Sequence, residues 1–118
     1  MSKHWRKSIQ NDKPYCWLDW IEIEIKTYEG RLFRKDWIEV KVGDTITFYC
    51  DNKQVNVEIT ELLRFKNFAE GFEAVGTKLV PLDNLTPEFV QSMYEKIFKT
   101  TKEEIEKVGV VLVGLKLI

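Results

Sequence analysis

The chain has 118 residues, 44% of them hydrophobic and 31% charged, with 18 Lys and Arg against 19 Asp and Glu for a net charge of −1. A chain of this length can bury roughly two-thirds of its unfolded surface, and four Trp, four Tyr and seven Phe supply large side chains for one core, which argues against disorder and against a second domain. The near-neutral balance argues against a protein that coats nucleic acid by bulk attraction.

Residues 1–13 are polar and read either as a less ordered N-terminal segment or as a first strand. After Pro14 two periodicities compete. Trp17, Trp20 and Ile21 make a helical face, whereas Ile21-Glu22-Ile23-Glu24-Ile25 alternates like a strand. A short helix over residues 15–24 is favoured, since Pro suits a helix start. Gly30 beside Arg31-Leu32-Phe33 places a strand from about Glu29. Val42-Gly43-Asp44 is a turn, and Thr45 to Cys50 alternates as a strand of β-formers. Asp51-Asn52-Lys53 turns the chain again into Val55, Val57 and Ile59, so the two strands form a hairpin. Asn67 caps a short helix through Phe72. Thr86-Pro87-Glu88 opens a longer helix to about Lys99, and Phe89, Val90, Met93, Tyr94 and Ile97 line one face of it. Thr101 with Glu104 predicts a capping box. Gly109 ends that helix, and Val110 to Ile118 is almost wholly apolar, as in a central strand buried on both faces. The order predicts a single α+β domain over residues 1–118, with the last strand returning to the middle of a small curved sheet.

The candidate ligands for a metal are few. His4 is the only histidine and Cys16 and Cys50 the only cysteines, short of a four-ligand zinc site of Cys and His. A core of this apolar content needs no disulfide, so both cysteines are expected as reduced core thiols. No cofactor is implied. The N-terminus lacks the apolar core of a signal peptide, and no stretch approaches a membrane span. The expectation is a cytoplasmic protein, nuclear in a eukaryotic or viral setting, with no membrane partner and with any protein partner left open.

Chemistry concentrates at Lys26-Thr27-Tyr28-Glu29-Gly30-Arg31. On a strand, Glu29 and Arg31 share one face, and Lys26 at the preceding helix end can point into the same space. Cations there can hold phosphate or carbonyl oxygens, while the carboxylate accepts from a base amino group. The plain alternative is a solvated ion-pair set. Arg34, Lys35 and Lys41 could extend a phosphate-contacting rim or simply line a loop. Trp5, Trp17, Trp20 and Trp37 could stack bases or fill the core.

The order Lys26-x-x-Glu29-x-Arg31, followed by Val42-Gly43-Asp44-Thr45-Ile46-Thr47-Phe48, resembles the signature of the ASCH family. Phe65-Lys66-Asn67-Phe68 is similar to the start of that family's middle helix, and Val108 to Val113 to its final strand. The resemblance implies a PUA-like fold, a small mixed or antiparallel β-barrel flanked by short helices. It also implies an RNA- or nucleotide-binding cleft lined by Lys26, Glu29 and Arg31; neighbouring Thr27, expected to face another direction, and the rim residues Arg34 and Lys35 are counted with them as ligand-binding candidates. Two positions depart from the pattern. Glu24 stands where the family has Gly. Glu29 stands where a branch of bacterial amidohydrolases acting on N-acetylated cytidine has a Thr nucleophile. If the protein is an enzyme, Glu29 would be general base for a water and Lys26 or Arg31 would stabilise developing charge, giving a small ribonuclease or amidohydrolase. A protein-interaction domain is the third reading.

Overall fold

The apolar C-terminal run organises the architecture. The computed structural model describes residues 2–118, and in it Val110–Leu117 forms the inner strand of a five-stranded sheet. In chain order the elements are β1 (His4–Ser8), α1 (Trp17–Glu22), β2 (Tyr28–Leu32), β3 (Thr45–Cys50) and β4 (Lys53–Phe65). They are followed by α2 (Phe68–Val75), α3 (Pro87–Phe98), α4 (Lys102–Val108) and β5 (Val110–Leu117). Short 3₁₀ turns occupy Lys35–Ile38 and Gly76–Lys78. The strands lie in the order β1-β3-β4-β5-β2. Only β1 and β3 run parallel. Val110 to Val113 are buried on both faces because β4 and β2 flank them and the helices cover the sheet.

The sheet curls into a half-barrel. A register shift between Ile59 and Glu61 breaks the β4–β5 ladder, and such a bulge bends and twists its strand. The partner there is Gly114, where a Cβ would sit 2.9 Å from Thr60 Oγ1 and 3.0 Å from the Glu61 Cβ. Only glycine lets the strands approach this closely. The bulge also explains why β4 runs to Phe65, beyond the hairpin strand read from Val55, Val57 and Ile59. Past the bulge the alternation changes phase, so the sequence shows no single period across the strand.

Helix starts follow the sequence closely. The side chains of Asn67, Thr86 and Thr101 accept from the backbone N–H of Glu70, Phe89 and Glu104. The capping box at α4 is half-formed, since Glu104 accepts from the Thr100 hydroxyl at 3.0 Å instead of reaching back to Thr101. Buried Gln91 joins α3 to α2 by accepting from Phe68 N at 2.8 Å and Ala69 N at 3.2 Å. α1 is shorter than expected. It stops because Glu24 turns to φ +66°, the left-handed region that glycine favours. The local turn therefore has the conformation that suits glycine, reached here by a glutamate.

Of the two readings of residues 1–13, the structure holds the first strand. His4 is part of it, with its ring nitrogens 2.6 and 2.9 Å from the hydroxyls of Thr45 and Thr47. Cys16 and Cys50 are free thiols, partly exposed rather than in the core as expected. Among the described residues no helix is long and apolar enough to cross a membrane.

Asp44 ties the N-terminal strand to the turn before β3. Its carboxylate accepts from Lys3 N at 2.9 Å, Trp5 Nε1 at 2.9 Å and Lys41 N at 3.0 Å. Burial opposes the charge, but these three donors outweigh it and hold the Asp44 pKa below its usual value. Replacing Asp44 by Ala strands the buried Trp5 indole N–H and frees β1. We expect a loss of about 2–4 kcal/mol in urea unfolding, with the Asp44 contribution in the parent protein fading as pH falls through the depressed pKa.

Candidate functional site

A curled sheet that does not close has two edges, and here they are β1 and β2. Arg31 spans the gap, its Nη2 donating to Ser8 O at 2.9 Å. A cleft of about 390 Å³ opens along this seam. Ser8, Ile9 and Gln10 form one side, Glu29, Gly30 and Arg31 the floor, and Trp17, Tyr94, Ile97 and Phe98 the wall.

The floor is built on a buried lysine. Lys26 is 1% exposed, and its Nζ donates to Tyr28 O and Leu79 O, both at 2.6 Å. The same ammonium lies 3.5 Å from Glu29 Oε1 and 4.6 Å from the Trp17 ring centroid. An ammonium has three donors, so Lys26 is fully engaged. Glu29 Oε2 accepts in turn from Arg31 Nε at 2.7 Å. Arg31 lies over Trp37, 5.0 Å from its centroid, and among the described residues its Nη1 makes no hydrogen bond. Burial pushes the Lys26 pKa down from 10.5 to about 8, with the Glu29 charge opposing the fall.

Two polar groups on the cleft have no partner. The Tyr94 hydroxyl is buried and makes no hydrogen bond. Burial, then the negative charge of Glu29, raise its pKa well above the ordinary value. The ring is held by stacking on Phe68, 4.0 Å between centroids at 11°, and is flanked by Trp17 and Phe98. The second group is the Gly30 backbone. Leu115 N donates to Thr27 O and Phe33 N to Gly109 O, both at 2.9 Å. Alternation along the antiparallel ladder therefore pairs Glu29 and Arg31 with β5 and turns Tyr28, Gly30 and Leu32 toward the seam. Tyr28 O takes Lys26 and Leu32 O takes Arg34 N. The N–H and C=O of Gly30 stay open to the cleft. A side chain at Gly30 would meet Phe68, Leu79 and the Tyr94 hydroxyl at 3.1–3.3 Å, so glycine lets the aromatic wall pack under the strand.

The residues singled out in the sequence separate into layers. Glu29 and Arg31 line the cleft. Lys26 lies beneath them and does not reach it. Thr27 does not reach it either, and lines a small cavity with Ile21, Val57 and Leu115. Exposed Glu24 borders that same cavity, so it adds no carboxylate to the cleft. Arg34 and Lys35 line an adjoining cavity of about 210 Å³ that shares Arg31 and Phe98 with the cleft and also holds Trp37. Lys41 and Trp5 sit by a separate depression near Asp44, and Trp20 packs edge-on against Trp17. Gln10, Gly30 and Tyr94 also line the cleft, and no sequence motif marks them. Tyr94 is hidden in the apolar face of α3, although a tyrosine on a buried helix face signals a hydroxyl that needs a partner. Among the described residues no group of three or more His, Cys, Asp and Glu side chains could hold a metal ion.

No family model and no curated protein matches this sequence. Solved structures do. The chain is similar to hypothetical protein PH0355, at 25% identity over 98% of this chain and 99% of that one, with a TM-score of 0.80. It is similar to protein PF0455 from Pyrococcus furiosus, at 24% identity over 98% and 97% of the two chains and a TM-score of 0.73. It is also similar to the ASCH domain from Lactobacillus crispatus JV V101, at 18% identity over 98% and 79% of the chains and a TM-score of 0.59. The curled mixed sheet with four short helices is thus an α+β fold shared with these structures. More narrowly, it is an ASCH-like fold.

The buried lysine has a pH signature. Its folded pKa near 8 lies below its unfolded value of 10.5, so between these values the unfolded chain binds more protons and stability rises with pH. The contribution reaches about 3 kcal/mol by the upper end of the window. Above about pH 10 Tyr94 opposes it, because its raised pKa makes the unfolded state lose the proton first. Lys26→Met should remove the rise, measured by urea unfolding from pH 7 to 10, and side-chain NMR of Lys26 should show a midpoint near 8.

Proposed function

We propose that the seam cleft binds a nucleobase-bearing ligand, a nucleotide or a single-stranded RNA unit, and that the protein is an ASCH-like binding module. The observation that carries this reading is the unpartnered Tyr94 hydroxyl. A buried hydroxyl without a partner costs about 1–3 kcal/mol, and it sits beside a donor–acceptor pair on Gly30 that is also open. A planar heterocycle offers both what the pair needs on its edge and a π-face for the aromatic wall. The Glu29 carboxylate would accept from an exocyclic amino group or ring N–H, and Arg31 Nη1 would donate to a carbonyl or phosphate oxygen.

The arrangement favours binding over turnover. A general base must be free to take a proton, whereas Glu29 is held by Arg31 on one oxygen and faces Lys26 with the other. Lys26, assigned to stabilise charge in the hydrolytic reading, has its donors on two backbone carbonyls and lies behind the floor. The interaction-domain reading explains neither the open Gly30 pair nor the buried hydroxyl.

Tyr94→Phe separates site from scaffold. It removes one oxygen from the core, so urea unfolding should show stability unchanged or raised by about 1 kcal/mol. Titration calorimetry with the common ribonucleosides, their monophosphates and a short single-stranded RNA should show the ligand bound several-fold more weakly by the variant. Arg31→Ala should weaken it further. Equal affinity in Tyr94→Phe, or no binding of any probe by the parent protein, would contradict the reading.

A further inference from the structure

We infer that the cavity adjoining the cleft is a phosphate subsite, so that the ligand is a nucleotide, free or within RNA, rather than a nucleoside or base. The inference rests on the cleft holding the base.

Four cations line this cavity of about 210 Å³, namely Lys7, Arg31, Arg34 and Lys35, against one carboxylate. That carboxylate, Asp36, is occupied by Lys7 at 2.5 Å, and Arg31 is paired with Glu29, which leaves Arg34 and Lys35 uncompensated. Arg34 and Lys35 are exposed and, among the described residues, make no ion pair. Arg31 joins the two cavities. Two of its five N–H donors, one each on Nε and Nη2, are committed to Glu29 and Ser8, and both on Nη1 remain for a ligand oxygen. An arginine fixed on two sides presents those donors with little entropy left to lose, as suits an anion contact. The backbone adds a second indication. Lys35 stands at φ +56°, a conformation a lysine rarely adopts, and such strain persists where the surroundings enforce it, often at ligand sites. It carries the chain round directly after Arg34, and both cations line the cavity that Trp37 also lines.

The chemistry on offer is a cluster of guanidinium and ammonium donors beside an aromatic face, suited to the dispersed charge of a phosphate ester. A 5′-monophosphate, a 3′-monophosphate and a phosphodiester share that chemistry, and the experiment distinguishes them.

The test is titration calorimetry of the protein with the common ribonucleosides, their 5′- and 3′-monophosphates, and a short single-stranded RNA, at low and high salt. For the base that binds, one phosphate position should bind about tenfold tighter than the nucleoside. That gain should shrink as salt rises. In Arg34→Gln/Lys35→Gln, with folding checked by circular dichroism, the gain should vanish while nucleoside affinity is unchanged. If RNA alone shows the gain, the subsite takes a phosphodiester. If nucleoside and both monophosphates and RNA bind alike, or the double variant weakens the nucleoside equally, the phosphate subsite is wrong and the cleft reading stands. If no probe binds, the cleft reading falls and this one with it.

Discussion

A lysine ammonium buried inside the domain is the constraint on which the site depends. Removing an ammonium from water costs several kcal/mol, and Lys26 offsets that cost with two carbonyl oxygens, the Glu29 carboxylate and the face of Trp17. Those partners belong to different parts of the chain. Tyr28 and Glu29 are on β2, Leu79 follows the turn after α2, and Trp17 is on α1. One charge therefore holds the helix layer against the edge of the sheet. It also turns Glu29, which aims Arg31, which reaches Ser8 across the seam. The ordering of the cleft floor starts at an atom no ligand touches.

The seam gives a small domain a binding surface without a loop insertion. In a closed barrel every strand edge is paired. Here β1 and β2 remain edges, bridged by one guanidinium, and the space between them is the cleft. The wall behind it is closely stacked. Tyr94 stacks on Phe68, and both lie within 6 Å of Phe98, so the hydroxyl cannot swing to find a partner elsewhere. Stability is given up at Tyr94 and Lys35 for groups aimed at the cleft or its neighbouring cavity, a pattern found where function outweighs local consistency.

Most of the architecture could be read from residues with strong local signals. Thr86-Pro87, Thr101 and Asn67 mark helix starts by cap chemistry that acts within one turn. Val110 to Val113 announce a doubly covered strand. The reading failed where long-range geometry decides. The bulge at Ile59/Glu61 depends on Gly114 more than fifty residues away, and the end of α1 depends on a glutamate adopting a glycine conformation. The same holds for the site. Alternation placed Glu29 and Arg31 together, but Lys26 follows a turn whose shape the sequence does not reveal, so its side chain goes behind the floor. Thr27 goes elsewhere for the same reason. Tyr94 carries one local signal, a hydroxyl on the apolar face of α3, but that the hydroxyl lacks a partner is a property of the packed core.

The central claim is that Lys26, Glu29 and Arg31 act as one unit, with the buried charge holding the carboxylate that holds the guanidinium. A double-mutant cycle on folding stability tests it most directly, using Lys26→Met, Glu29→Gln and the pair. Lys26→Met leaves Glu29 with Arg31 as its one cation, Glu29→Gln leaves the buried Lys26 ammonium with no carboxylate, and the double variant removes both charges of the pair. The account predicts a pair less destabilised than the sum of the singles, by about 1–3 kcal/mol. Additivity within about 0.5 kcal/mol would mean that Lys26 and Glu29 do not depend on each other, and would contradict the account.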